Sequence, residues 1–238
     1  MIKIHQLEAF TDNYIFILQD TNKDKICAID PGDANIVIEY LNENHMKLDY
    51  IFNTHHHWDH VDGNEKLKDF YGCKIYGSEN DKLRIPFISD SVKHKDVLPF
   101  SDAQAFLTTG HTSGHLSYYF KNQSLLFCGD TLFSYGCGRI FDGSAEDLFN
   151  SIQWIKSLPL DTMIYCTHEY TLANLDFALS LSPNNQTLLD AKNATQSLLS
   201  QNNFTIPFQL GEQLHSNPFL NCNNLTDFVT LRKSKDNF

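Results

Sequence analysis

No two cysteines in this chain form a C-x-x-C pair. The six cysteines, Cys27, Cys73, Cys128, Cys137, Cys166 and Cys222, are scattered, which argues against a zinc ribbon. Cys27, Cys128 and Cys166 fall in apolar runs and read as small buried residues. Scattered thiols favour a reducing cytoplasm over a secreted fate. No apolar run approaches the ~20 residues of a membrane span, and the start, Met1-Ile-Lys-Ile-His5, has no apolar signal region. Cations are scarce, 18 Lys and Arg against 29 Asp and Glu, for a net charge of −11. That balance argues against nucleic acid as the main partner. Neither a G-x-S-x-G elbow nor an internal repeat occurs. These absences favour a cytoplasmic protein working without membrane or nucleic acid; a monomer is expected.

The chain does have material for a core, with 42% hydrophobic residues over 238 positions, enough for one large domain and a small appendage. Apolar periodicity predicts strands near 2–8, 14–19, 25–30, 49–53, 74–76, 104–109, 117–121, 124–128 and 163–166. Helices are expected near 34–45, 63–70 and 145–157. After Tyr170 strand-like runs nearly vanish, and 171–181 and 187–201 carry helical spacing, punctuated by Pro183 and Pro207. The expected organisation is a catalytic domain over 1–168 and a helical domain over 169–238.

Residues 54–60 read Thr-His-His-His-Trp-Asp-His, with four histidines and one aspartate from His55 to His60. Imidazole is the commonest metal ligand, and carboxylate beside imidazole suits zinc, iron or manganese. The segment just before is aromatic and β-branched, so the cluster sits where a strand gives way to a loop. In extended chain His55 and His57 point the same way, while His56 and Trp58 alternate away and are expected to pack or hydrogen-bond. One short loop thus feeds two neighbouring metal positions. Two ions need more ligands, and three stretches are competent: Gly110-His111-Thr-Ser-Gly-His115, the strand ending at Gly129-Asp130, and the strand ending at Thr167-His168-Glu169. Each polar group stands at the carboxyl end of an apolar run, where layered α/β folds bind ligands. Asp30, in Ile29-Asp30-Pro31-Gly32, reads either as support for a ligand histidine or as a turn residue. His115 is expected behind the ligands rather than among them. His5, His45, His94 and His215 have no supporting context.

The order T-H-x-H-x-D-H, G-H-T-x-G-H, strand-G-D and H-E-Y resembles the metallo-β-lactamase superfamily. Within it, Cys128-Gly-Asp-Thr-Leu-Phe133, Gly136-Cys-Gly-Arg139, Thr167-His-Glu-Tyr-Thr171 and Leu231-Arg-x-x-Lys235 resemble glyoxalase II, the hydroxyacylglutathione hydrolases. The resemblance implies an α/β fold, an αββα sandwich with a small helical C-terminal domain. It implies two divalent metals, zinc first, with iron or manganese as alternatives. His55, His57 and His111 would hold one, Asp59, His60 and His168 the other, and Asp130 both. Of these, Asp59, His60 and Asp130 are assigned the catalytic part. The implied reaction is hydrolysis of S-D-lactoylglutathione to glutathione and D-lactate by a metal-bridged hydroxide, the second step of methylglyoxal detoxification. The leaving thiolate, whose conjugate acid has a pKa of roughly 8.5, departs without a protein acid.

Substrate contacts by motif position are Arg139, Phe141, Tyr170, Arg232 and Lys235, set against the two carboxylates of glutathione. On residues alone, Arg232, Lys233 and Lys235 read as a solvated basic end. Relatives usually carry Lys and Tyr where this chain has Arg139 and Phe141, so one hydroxyl donor is lost. Rival readings are another enzyme of the superfamily, such as a sulfur dioxygenase or lactonase, and a non-catalytic metal-binding protein. The dioxygenase leaves the second ligand set and the R-x-x-K terminus without a use, and complete ligands argue against loss of catalysis.

Overall fold

A computed structural model describes all 238 residues. The chain forms two compact units, Met1–Leu107 with Ser113–Gln123, and Thr108–Thr112 with Ser124–Phe238. This is a division by compactness; the functional boundary expected near residue 168 is a separate matter.

The first unit is built on a six-stranded sheet in sequential order. Strands β1 (Ile2–Ala9), β2 (Asn13–Asp20) and β3 (Lys25–Ile29) run as an antiparallel meander. Then β4 (Tyr50–Phe52), β5 (Lys74–Ser78) and β6 (Asp90–Val92) add in parallel. Parallel additions need crossovers. The first two are α1 (Ala34–Glu43) after β3, and α2 (Trp58–Val61) with α3 (Asn64–Tyr71) after β4; the third, from β5 to β6, holds only a 3-10 turn, Glu79–Asp81. Asp33 starts α1 by accepting from the Asn35 amide, which satisfies one of the helix's orphan donors.

Alternation along β2 sorts the two faces. Ile15 and Ile17 point toward the helices and join Val37, Leu41, Leu67 and Ile75 in one cluster. The other face is aromatic: Phe52 lies 5.1 Å from Tyr118 and 6.3 Å from Phe100. Tyr118 belongs to β8 (Leu116–Phe120), which pairs antiparallel with β7 (Ala103–Leu107). Its hydroxyl donates to Asn53 O at 2.6 Å, and Leu116 N donates to Thr54 O at 2.7 Å. The residues that leave β4 toward the histidines are therefore clamped by a second strand, with Asn53 and Thr54 fully buried.

In the second unit, β9 (Leu125–Gly129) pairs in parallel with β12 (Met163–Cys166), and β13 (Phe208–Gln209) runs antiparallel to β12. The register shifts between Tyr165 and Cys166, so both strands end together, Cys166 opposite Gly129. Asp130 and Thr167 are the next residues on each. A two-residue hairpin, β10 (Leu132–Phe133) with β11 (Gly136–Cys137), follows β9. Helix α4 (Ala145–Lys156) starts on Ser144, whose side chain accepts from Asp147 N. The C-terminal region is helical as expected: α5 (Thr171–Leu181), α6 (Gln186–Ser200), the short α7 (Leu210–Gln213) and α8 (Leu225–Asp236). Leu175, Ala178 and Leu188 join α5 to α6. Phe228, fully buried, ties α8 to α4 through Phe149 and to Phe219. Burying such a ring contributes about 1.5–3 kcal/mol.

Candidate metal centre

Each unit gathers one set of metal-competent side chains. In the first, β4 delivers Asn53 and Thr54, and His55 and His57 come next in extended chain. Their ring nitrogens, His55 Nε2 and His57 Nδ1, stand 3.0 Å apart. Two ~2.0–2.1 Å bonds to one tetrahedral ion separate their donors by about 3.3 Å. His57 then caps α2, whose first turn presents Asp59 and His60. Asp59 Oδ2 lies 3.4 Å from His60 Nε2 and accepts from Asn13 Nδ2 at 2.8 Å. Gly32 is required here, because a Cβ on it would stand 1.9 Å from Asp59 O.

Asp30 organises this set. It is 1% exposed and holds φ 50°, a left-handed conformation that Asp tolerates better than most residues. Oδ1 accepts from Thr54 N at 2.7 Å, and Oδ2 accepts from Thr54 Oγ1 at 2.6 Å. Having donated to Asp30, the Thr54 hydroxyl can only accept from His55 Nδ1, 3.0 Å away. His60 Nδ1 lies 3.1 Å from Asp30 Oδ2. One carboxylate thus puts the protons of both rings on Nδ1 and turns both Nε2 lone pairs away from itself, the arrangement that orients metal-binding histidines. Asp30, His55 and His60 each offer an atom within 4.8 Å of the others'. His115, fully buried, stacks on His55 at 4.9 Å. His56 turns away to the buried Asp81 at 3.1 Å, and Trp58 packs on Phe10 at 5.1 Å.

In the second unit His111, Asp130 and His168 converge. Asp130 Oδ2 is 3.4 Å from His111 Nε2 and 3.5 Å from His168 Nε2. Its other oxygen accepts from Thr167 Oγ1 at 2.6 Å, so a single oxygen faces the two rings. His111 Nδ1 lies 2.7 Å from Arg139 O. A carbonyl only accepts, so that nitrogen carries the proton and Nε2 is left as donor atom. Gly110 precedes His111 with φ 135°, and a Cβ on it would meet the backbone of α4 at Leu148, 2.3 Å away. Tyr170 stacks on His168 at 4.8 Å and 4°. Phe141, 60% exposed, sets its ring against His111 at 5.1 Å.

The cationic candidates divide. Arg139 is exposed and lies 3.4 Å from Asp236 Oδ1. Lys235 donates to Ala173 O at 3.1 Å and sits over the Phe177 and Phe238 rings. Burial, then the Arg232 charge, pushes its ammonium below the ordinary Lys range. Arg232 is not the solvated cation that its neighbours suggest. It is 5% exposed and donates to Cys137 O, Gly138 O and Asp236 Oδ1 at 2.9, 3.3 and 3.0 Å. Its guanidinium lies over the Phe219 ring, 5.2 Å from the centroid, and Phe219 packs in turn on Phe228. Reading the sequence missed Asn13, Asp81 and Thr167 as supports.

The donor chemistry of both sets, imidazole nitrogens and carboxylate oxygens, most of them braced from behind, fits borderline divalent ions. Strand-end histidines and aspartates of this kind mark metal-dependent hydrolytic enzymes of the metallo-β-lactamase class. Residues 16–168 match the sequence profile of the metallo-beta-lactamase superfamily, and residues 169–238 that of the hydroxyacylglutathione hydrolase C-terminus. Over the full length of both chains, 42% of residues are identical to a hydroxyacylglutathione hydrolase of Pelagibacter ubique. One from Methylococcus capsulatus is 40% identical over 92% of this chain and 87% of its own. Among solved structures, ETHE1 from Myxococcus xanthus matches with TM-score 0.73 at 22% identity, covering 97% of this chain and 90% of that one. A metallo-beta-lactamase from Staphylococcus aureus matches with TM-score 0.70 at 20% identity, covering 98% and 71%. The chain belongs to the hydroxyacylglutathione hydrolase family, thioester hydrolases of αββα metallo-β-lactamase fold with a helical C-terminal region. No helix is long and apolar enough to cross a membrane.

Proposed function

We propose that this chain hydrolyses S-D-lactoylglutathione to glutathione and D-lactate, the second step of methylglyoxal detoxification. The observation that carries the reading is the bracing of five of the seven candidate donors: Asp30 behind His60 and, through Thr54, behind His55, Asn13 behind Asp59, Arg139 O behind His111, Thr167 behind Asp130. Such outer partners orient metal ligands. In the proposed assignment His55, His57 and His111 would hold one divalent ion, Asp59, His60 and His168 a second, and Asp130 would serve both. Zinc is the first expectation, iron or manganese the alternatives. Bound divalent ions supply an activated water at neutral pH and electrophilic stabilisation of a carbonyl oxygen. The residues' part is to hold those donors fixed in a buried setting, with Asp59, His60 and Asp130 next to the reacting atoms. The leaving thiolate needs no protonation by the protein, since a thiol pKa of roughly 8.5 makes it a competent leaving group.

In this reading residues 1–168 carry the chemistry and 169–238 serve the substrate. Arg139, Tyr170 and Lys235 receive the glutathione moiety, Phe141 lining the approach. Support comes from their shared frame: Lys235 is tethered to the first turn of α5, which Tyr170 caps, and Arg139 to Asp236 at the end of α8. All seven proposed ligands lie in one chain, so a monomer suffices. The six buried free cysteines suit a reducing cytoplasm. The test is metal analysis by plasma mass spectrometry alongside hydrolysis of S-D-lactoylglutathione. Two ions per chain with turnover are expected. One ion, or two without thioesterase activity, would refute it.

A further inference from the structure

The Gly136–Arg139 loop links the last helix to a candidate metal ligand. Gly138 lies flat on Asp130: a Cβ there would stand 1.9 Å from Asp130 O and 3.3 Å from His111 Nδ1. Gly138 N donates to Thr131 O at 3.2 Å. One residue on, Arg139 O takes the His111 Nδ1 proton at 2.7 Å. From the opposite side the loop is held by Arg232, whose Nη1 donates to two successive carbonyls, Cys137 O and Gly138 O. We propose that Arg232 is a positioning residue: from α8 it fixes the Gly136–Arg139 backbone so that Arg139 O sets the tautomer and aim of His111.

Two features separate this from the roles a buried arginine usually fills. Arg232 is not a counter-ion to Cys137, whose thiol burial pushes up to about 11, so that sulfur is uncharged at neutral pH. Nor is it presented to solute, at 5% exposure. Its contacts are two carbonyls, the Cys137 sulfur, one carboxylate and a ring face. A planar fork with several fixed donors suits that set, and a lysine reaches only part of it. The chain of contacts gives the C-terminal region a second duty, beside any contact with substrate, in shaping the metal end of the molecule.

The proposal rests on the metal assignment above but is tested apart from turnover. Arg232→Met keeps the stem and removes the donors; Arg232→Lys is the conservative variant and the one expected to fold in any case. Each is stripped of metal and titrated with zinc against a chromophoric chelator. The His111 ring protons are tracked by NMR in the zinc-free protein. Expected is a loss of zinc affinity of 10- to 100-fold for Met, the scale seen for supports behind metal ligands. Lys should restore part of it, and the His111 Nδ1–H signal should shift or broaden in both variants. With S-D-lactoylglutathione and with a thioester of a small neutral thiol, kcat should fall alike, while KM for the neutral thioester stays within about threefold. Unchanged zinc affinity with a raised KM for the glutathione thioester alone would overturn the proposal and return Arg232 to substrate reading. A lowered Tm with zinc affinity and the His111 signal intact would overturn it in favour of a purely structural role. If neither wild type nor variants hydrolyse any thioester, the functional reading fails while the zinc and NMR results still decide this one.

Discussion

Replacing Asp30 by Asn turns one acceptor atom into a donor and leaves the shape of the side chain unchanged. Asn accepts the left-handed backbone at φ 50° about as well as Asp, and its carbonyl oxygen can keep the bond from Thr54 N. The amide nitrogen then replaces Oδ2, which faces Thr54 Oγ1 at 2.6 Å and His60 Nδ1 at 3.1 Å. The hydroxyl can reverse and accept. Doing so releases its hold on the His55 Nδ1 proton. His60 Nδ1, facing a donor, must give up its proton to Nε2, the atom assigned to the metal. Each charge-assisted bond of this kind contributes roughly 1.5–3 kcal/mol, or about 10- to 150-fold. Zinc affinity should therefore fall by at least tenfold, near the 10–100-fold typical of such supports, with little change in Tm. Asp30→Ala should lose more stability than Asn: left-handed Ala costs roughly 1–2 kcal/mol, and three buried donors, Thr54 N, Thr54 Oγ1 and His60 Nδ1, lose their acceptor. The assay is chelator competition on metal-free protein with thermal unfolding in parallel. If Asp30→Asn binds zinc within threefold of wild type, the tautomer argument is wrong.

Asp130→Ala should abolish turnover and lower occupancy of both ions, whereas Thr167→Val, which removes only the 2.6 Å support, should cost 10–100-fold; plasma mass spectrometry with rate measurement separates them, and equal effects would contradict the assignment. Lys235→Ala should raise KM for S-D-lactoylglutathione about 10- to 150-fold, leave kcat nearly unchanged, and spare a thioester without carboxylates. The ammonium of Lys235 is depressed below its ordinary 10.5, so between that lowered value and 10.5 the unfolded chain binds the proton more readily than the folded one. Stability from this group therefore rises with pH across that window, while kcat/KM for the glutathione thioester falls across it. Lys235→Arg should remove that alkaline limb, because a guanidinium stays charged. Phe141→Tyr, restoring a hydroxyl donor on an exposed ring, should lower KM for the glutathione thioester severalfold in steady-state assays without altering zinc affinity.

The long elements were legible because each carries its own period. The strand over 14–19 is observed at Asn13–Asp20, and the helices near 171–181 and 187–201 at Thr171–Leu181 and Gln186–Ser200. The ligand candidates were legible for a related reason: an apolar run announces a strand, and the polar residue that ends it has a fixed place. β6, β13 and the β10–β11 hairpin escaped because two or three residues hold no period; their neighbours make them strands. Asn13 and Asp81 escaped because each meets its histidine or aspartate loop only through tertiary contact, at separations of 46 and 25 residues. Thr167 was in view, inside T-H-E-Y-T, but nothing local tells which way its hydroxyl turns. Arg232 was misread from its neighbours. Lys233 and Lys235 suggested a solvated end, yet Arg232 lies one turn beyond the buried Phe228 and so shares its face.

The bracing of the donors has a consequence for which element is found in a preparation. Asp30, Arg139 O and Thr167 hold their partners through groups of the protein itself, so the aim of those donors is set by the fold rather than by the choice of ion. Imidazole and carboxylate donors rank the first-row divalent ions in the Irving–Williams order and reject none strongly. A receptacle of that kind takes what the cell offers it. Protein made in iron-rich and in zinc-rich media should share one fold and one set of supports yet carry different ions, so that elemental content records the diet of the culture.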